Sequence, residues 1–147
     1  MSGLAEALTI EHRQIDDGIE RFVAAGDVAA LRSAFEALRR HIYLEEEFLF
    51  PPVRGAGLLM PVMVMIREHG ALWQRMDAIE SSLDRGDDTA ESCRELLARL
   101  DDHNSKEEPV VYPHADSDLS AEQTAGLSQF LQSGTLPDDW ICEALRA

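Results

Sequence analysis

The sequence predicts an all-α fold, an antiparallel up-down-up-down four-helix bundle with a short helical C-terminal extension. Three observations lead to it. Apolar residues recur at three- and four-residue steps through four long stretches, the period of a helix buried along one face. Clusters of Gly, Pro and Asp separate those stretches by only a few residues, as antiparallel neighbours require. No run alternates apolar and polar residues as a strand would. The 147 residues suffice for one domain with a core of useful size.

The first helix is expected over residues 3–24. Leu4, Leu8, Ile15, Ile19 and Phe22 make its stripe, and His12 falls inside it. Gly26 breaks the pattern, and Asp27 supplies an N-cap for the second helix, expected over 28–50. Its stripe is Leu31, Phe35, Leu38, then His41 and Glu45, then Phe48 or Leu49. Pro51, Pro52, Gly55 and Gly57 are expected to stop it. The third helix starts near 58–61, where Pro61 suits a first turn, and reaches about Arg85. Val62, Ile66, Leu72, Met76, Ile79 and Leu83 form its stripe, with His69 in the same row. The fourth runs from about Thr89 to Glu108 or slightly beyond, with Cys93, Leu96, Leu100, His103, Glu107 and Val111 on one face. Pro109 should kink it or end its regular hydrogen bonding.

Residues 1–114 thus read as the bundle and 115–147 as a helical appendage packed on it. Ser120 and Gln123 frame a capping box that opens a short helix ending at Gly134. Residues 136–140 are expected to begin a last helical turn or two. Leu127, Phe130, Leu131 and Trp140 are the residues expected to dock the appendage.

The formal net charge of -15 argues against nucleic acid and anionic membrane surfaces as partners. The longest apolar run, 58–66, contains Pro61 and is about half the length of a membrane span. Cys93 and Cys142 form no C-x-x-C pair and read as free thiols in a reducing cytosol. A cytoplasmic location is therefore expected. No protein partner is legible in the chain.

The chemistry lies in a duplicated motif. His41-x-x-x-Glu45, followed by Pro51, is answered by His103-x-x-x-Glu107, followed by Pro113. Glu11-His12 in the first helix is answered by Glu68-His69 in the third. The chain reads as two helical hairpins sharing one plan, related by an approximate two-fold axis once packed. The histidines are spaced about evenly from the turns, so in an antiparallel bundle all four fall near one layer. Each glutamate follows its histidine by one turn and shares its face. Six ligand-type side chains, His12, His41, Glu45, His69, His103 and Glu107, are thus expected to converge on one interior site.

Two buried carboxylates in one layer repel each other unless they take up protons or a cation neutralises them. Imidazole nitrogen with carboxylate oxygen suits Fe, Mn, Co or Zn. Six ligands exceed one tetrahedral zinc and fit two metals, with each carboxylate bridging and one oxo or hydroxo between them. Each metal then keeps an open position for a small molecule.

Neighbouring residues have plainer expectations. His114 suits a surface or helix-end role. Glu46, Glu47 and Glu108 read as solvated or supporting rather than as direct ligands. Glu11 and Glu68 point about 100° from their histidines, which suits the surface or helix pairing. Trp73, Met65 and Met76 are core residues first, and candidates for lining the pocket over the metals. H-E-x-x-H, Walker A, G-x-G-x-x-G and E-x-x-H patterns are all missing.

The order H … H-x-x-x-E … H … H-x-x-x-E, with each half ending in Phe-Pro or Tyr-Pro, resembles the hemerythrin-like (HHE) family of four-helix di-iron proteins over about residues 4–114. The resemblance implies a non-haem centre of two Fe ions with a bridging oxo or hydroxo, in which Zn or Mn are substitutes. It implies His12, His41, His69 and His103 as terminal ligands and Glu45 and Glu107 as bridging carboxylates. Oxygen-carrying members place a second histidine one turn after the third-helix histidine, where this chain has Trp73. Their fourth-helix carboxylate is an Asp five residues after its His, whereas here Glu107 follows at four. The missing histidine leaves both metals open.

The expected function is therefore a di-iron protein that binds O2 or a related diatomic or peroxide ligand, or that senses iron or redox state. The alternative is an enzyme at the same site acting on H2O2 or NO, in detoxification or iron-centre repair. A helical module with a structural zinc is a third reading.

Overall fold

The structure is a computed structural model that describes residues 3–146, and among the described residues it contains helices and turns without β-strand. Helix α1 spans Leu4–Ala25 and α2 spans Val28–Leu44. A π-helical turn, Glu45–Leu49, joins α2 without a break to α3, Phe50–Gly55. Then follow α4 (Leu59–Asp84), α5 (Ala90–Val110), α6 (Pro113–Ser117) and α7 (Ala121–Ser133). A single 3-10 turn, Glu143–Leu145, closes the described chain. Helix α1 packs on α2 and α5, and α4 packs on α5 and on the α2–α3 rod, which makes an antiparallel four-helix bundle.

The ends of these helices follow from local chemistry. Gly26 adopts φ 71, a left-handed conformation that costs glycine little, and its N–H closes α1 on the Phe22 carbonyl at 2.7 Å. The Asp27 side chain then accepts from Ala30 N–H to start α2. Ser120 and Gln123 form the reciprocal capping box of α7.

Two boundaries differ from the sequence expectation. The second helix does not stop at Pro51 but continues to Gly55. Proline has no N–H and its ring crowds the carbonyl four residues back, so an unbroken α register is costly there. The chain absorbs this in the π turn, where Phe50 N–H donates to the Glu45 carbonyl five residues earlier. The prolines then occupy the first turn of α3. The fourth helix uses a similar device: the N–H groups of Val111 and Tyr112 both donate to the Glu107 carbonyl, at 2.9 and 3.1 Å. The second difference is at 136–140, which is a turn rather than helix. Asp139 sits at φ 63, outside the helical range, and Trp140 N–H closes on the Pro137 carbonyl at 3.3 Å.

The core is divided. One apolar cluster holds Ile15, Leu38, Ile42, Leu72, Met76 and Leu100 with their neighbours. The other holds Leu8, Leu44, Phe50, Met65, Ile66 and Val111 with theirs. Along each long helix the site histidine lies where one cluster gives way to the other: His12 between Leu8 and Ile15, His69 between Ile66 and Leu72. The polar side chains form a layer across the middle of the bundle.

Helices α1 and α2 meet closely at Gly18, where a Cβ would lie 2.8 Å from Ala34 Cβ and 3.0 Å from the Ala30 carbonyl. Gly18→Ala should therefore lower the unfolding free energy by about 1–3 kcal/mol through overpacking. Gly55→Ala, with nothing within 4 Å of the added carbon, should leave it unchanged or raise it by up to ~1 kcal/mol. Urea denaturation of the two variants checks both expectations.

Candidate metal centre

Each long helix contributes one histidine to the interior layer, because each histidine takes a stripe position that would otherwise hold an apolar residue. His12, His41, His69 and His103 are all buried, and Glu45 and Glu107 are fully buried at 0% exposure. Ring centroids of His12 and His41 are 4.7 Å apart, and those of His69 and His103 are 5.2 Å apart. The six side chains form two overlapping groups. His12, His41, Glu45 and Glu107 place one donor atom each within 4.8 Å of one another, and so do Glu45, His69, His103 and Glu107. Both glutamates belong to both groups.

Four further carboxylates orient the imidazoles. His41 Nδ1 donates to Glu11 Oε1 at 2.8 Å and His103 Nδ1 donates to Glu68 Oε1 at 2.9 Å. His12 Nδ1 donates to Glu108 Oε2 at 2.8 Å and His69 Nδ1 to Glu46 Oε2 at 2.7 Å. A carboxylate only accepts, so each Nδ1 carries the proton and each Nε2 faces inward. Glu11 and Glu68 thus pair helices by holding the histidine of the neighbouring helix. Their 100° offset from His12 and His69 is what aims them at that neighbour. Glu46 is buried as well. The π turn that begins at Glu45 turns two consecutive glutamates inward, one to each role.

The electrostatics follow from burial against pairing. Burial opposes the charged form of His41, but Glu45 and Glu11 outweigh it and hold the imidazole up to about 10. For His103, burial is likewise outweighed by Glu107 and Glu68, again to about 10. Burial pushes the Glu45 carboxyl up, but His41 and His69 hold it well below the usual range. Without a metal, then, protons on His41, His69 and His103 supply positive charge to this layer.

The donor set fits a cation better than it fits itself. Glu45 Oε1, His69 Nε2 and both Glu107 carboxylate oxygens are buried without a hydrogen-bond partner. His69 Nε2 and Glu45 Oε1 approach to 3.0 Å, and His12 Nε2 and Glu107 Oε1 to 3.3 Å, outside hydrogen-bond geometry. Orphaned buried donors and acceptors cost about 1–3 kcal/mol each. Nitrogen and carboxylate oxygen converging in this way are the ligands of a borderline transition metal.

One residue at the site was not among the sequence candidates. Tyr112, 1% exposed, places its hydroxyl 2.7 Å from His12 Nε2 and 2.8 Å from His41 Nε2, and donates to Glu45 Oε2 at 2.6 Å. Burial and the Glu107 and Glu45 carboxylates hold its phenol well above the usual value. The signal was present in the motif, since Tyr112 precedes Pro113 as Phe50 precedes Pro51. Phe50 in turn stacks on His69, centroids 5.5 Å apart.

The remaining candidates lie in the packing around this layer. Trp73 meets the Trp140 ring edge-on at 5.8 Å, with the Arg39 guanidinium over its face at 5.4 Å. Met76 belongs to the first apolar cluster and Met65 to the second, beside Phe50. His114 is half-buried in α6 and pairs with Asp118. Cys93 and Cys142 are free and buried. Among the described residues, no helix is long and apolar enough to cross a membrane.

Residues 3–115 match the profile of the hemerythrin HHE cation binding domain. Iron-sulfur cluster repair protein YtfE from Yersinia pestis (strain Pestoides F) is 29% identical over 103 residues, covering 61% of this chain and 47% of that protein. The protein of the same description from Yersinia pseudotuberculosis serotype O:1b (strain IP 31758) matches to the same extent. The chain thus spans about half the length of these curated relatives. No solved structure matches. With the profile running through the whole four-helix bundle and its buried His and Glu layer, the chain belongs to the hemerythrin HHE cation-binding domain family.

Proposed function

We propose that this chain is a di-iron protein whose centre binds a diatomic or peroxide ligand. In this reading His12 and His41 hold one iron, His69 and His103 hold the other, and Glu45 and Glu107 bridge them. The observation that carries the reading is that both glutamates belong to both four-residue groups. A carboxylate common to two ligand sets has one oxygen for each metal, and four nitrogens with four carboxylate oxygens leave room at each for more. Bound iron supplies redox chemistry and an open position for the ligand, with Zn or Mn as substitutes. The chain's own groups do the rest: four carboxylates set the imidazole tautomers, and two apolar clusters keep bulk water from the layer.

A small cavity lies beside His103, on the side of Glu68, its Nδ1 partner. It encloses about 60 Å³ and is lined by Glu68, Leu72, Arg75, Arg99 and His103 among others. That space admits a molecule of a few atoms and no organic cofactor. Arg75 and Arg99 line it together with the acidic Glu68 and Asp102, so it suits a polar visitor. Two free buried thiols suit a reducing compartment, in keeping with a cytoplasmic protein. Residues 115–147 are read as an appendage that steadies the site.

A second reading is favoured by the name of the relatives, iron-sulfur cluster repair protein. In it, the same centre acts on NO or peroxide damage, or releases iron to a damaged cluster. Single-turnover mixing of the iron-loaded protein with O2, H2O2 and NO separates the two. Stoichiometric spectral changes without turnover support the binding protein, while sustained consumption, or loss of iron to an apo-cluster protein, supports the repair reading.

Three outcomes are expected. Protein expressed with ample iron should hold about two irons per chain and absorb in the near ultraviolet through oxo-to-iron charge transfer, and fewer than one per chain would sink the proposal. Glu11→Ala and Glu46→Ala should each weaken metal binding by about 10–100-fold in a chelator competition, whereas exposed Glu47→Ala should not change it. Removing the metal with a chelator should lower the melting temperature, and His41→Ala should abolish that shift, because binding and folding are linked.

A further inference from the structure

The two halves of the site share a plan but differ at one pair of positions. Phe50 and Tyr112 each end the turn that follows a site glutamate, and each precedes a proline. Phe50 brings only a ring, stacked on His69. Tyr112 stacks on His12 at 5.2 Å and carries an oxygen into the opposite half-site.

That oxygen lies among ligand-type atoms. The Nδ1 atoms of His12 and His41 are committed to Glu108 and Glu11, so both rings turn Nε2 toward the Tyr112 hydroxyl, at 2.7 and 2.8 Å. Glu45 Oε2 accepts the phenol proton at 2.6 Å. Two ring nitrogens and a carboxylate oxygen gathered around one phenol oxygen are the donor set of a borderline transition metal, whose binding displaces the protons they share.

Tyr112 also has no room to withdraw. Its side chain is enclosed at 1% exposure. Its N–H is bonded to the Glu107 carbonyl at 3.1 Å, and its carbonyl accepts Ala115 N–H at 2.9 Å. A cation drawn in by His12, His41 and Glu45 therefore meets this oxygen as it enters. In the other half no protein oxygen plays that part, and His69 Nε2 and Glu45 Oε1 are left without partners.

We propose that the Tyr112 phenol oxygen is a further ligand to the metal held by His12 and His41, so that the two metals of the centre have unequal donor sets. The proposal rests on the two-metal reading above. On binding, the O–H bond breaks, its electron pair forms the bond to the metal, and the proton leaves to solvent. No oxidant or reductant is consumed. The His12–His41 metal then has one more protein donor, and the His69–His103 metal, with fewer, is the one left open to an exogenous ligand.

The chain has only two tyrosines, Tyr43 and Tyr112, which makes the test clean. Tyr43 packs against Phe130 and Trp140 away from the layer. Iron(III)-loaded wild-type protein should show a visible phenolate-to-iron charge-transfer band and resonance-enhanced phenolate ring modes. Tyr112→Phe should lose at least about nine-tenths of both and bind its second metal at least ~10-fold more weakly, while Tyr43→Phe keeps both signals. Should Tyr112→Phe fail to fold, zinc titration of the wild-type protein replaces it: the ultraviolet difference spectrum should show ionisation of one tyrosine per chain. Two bound metals with no phenolate signature would overturn this proposal and leave the two-metal reading standing. Fewer than one metal per chain would overturn both.

Discussion

Glu45 and Glu107 lie side by side at the centre of the bundle, both wholly enclosed, and most of the structure is arranged around that fact. Taking a carboxylate out of water costs several kcal/mol even after relaxation, and two in one layer repel each other. His41, His69 and His103, each held above the usual imidazole range by the carboxylates beside it, answer that cost with protons, and a bound metal would answer it with its own charge. The apolar core is split into two clusters above and below this layer.

The two departures from α-helical register do that positional work. The Glu45–Leu49 turn lets Glu45 reach the shared site while Glu46 reaches His69 Nδ1. The carbonyls of Glu45 and Glu107 each receive an N–H from five residues on, so the halves are alike in backbone as well as in ligands. An added residue in a helical turn rotates everything after it, and here it delivers Phe50 and Tyr112 to equivalent places. The two-fold plan then makes their chemical difference meaningful, because everything around them is matched.

The C-terminal segment is tied to this layer through two relays. Glu143 N–H donates to Glu46 Oε1 at 2.9 Å, and Glu46 in turn holds His69. Arg40 caps α7 by donating to the carbonyls of Phe130, Leu131 and Gly134, and also donates to Glu11 Oε2, whose other oxygen holds His41. Arg40 has five donors in a planar fork, which is why one side chain can serve both ends. Trp73, one turn after His69, anchors Trp140 of this same segment.

The sequence by itself determined the helix class, the four stripes and the spacing of the six site residues along them. Helical periodicity is a local property, and a polar residue inside an apolar stripe stands out without any tertiary information. The continuation of the second helix through Pro51 was not legible, because the sequence shows the obstacle and not the register shift that accommodates it. The roles of Glu11, Glu46, Glu68 and Glu108 were hidden for a related reason: each is read beside its own helix neighbours, yet each acts on a histidine of another helix. Tyr112 was visible as half of a repeated Phe-Pro and Tyr-Pro pair, but its hydroxyl acquires meaning only where α1, α2 and the end of α5 meet. Those are contacts between residues far apart in the chain, set by how the bundle packs, and only the tertiary structure decided them.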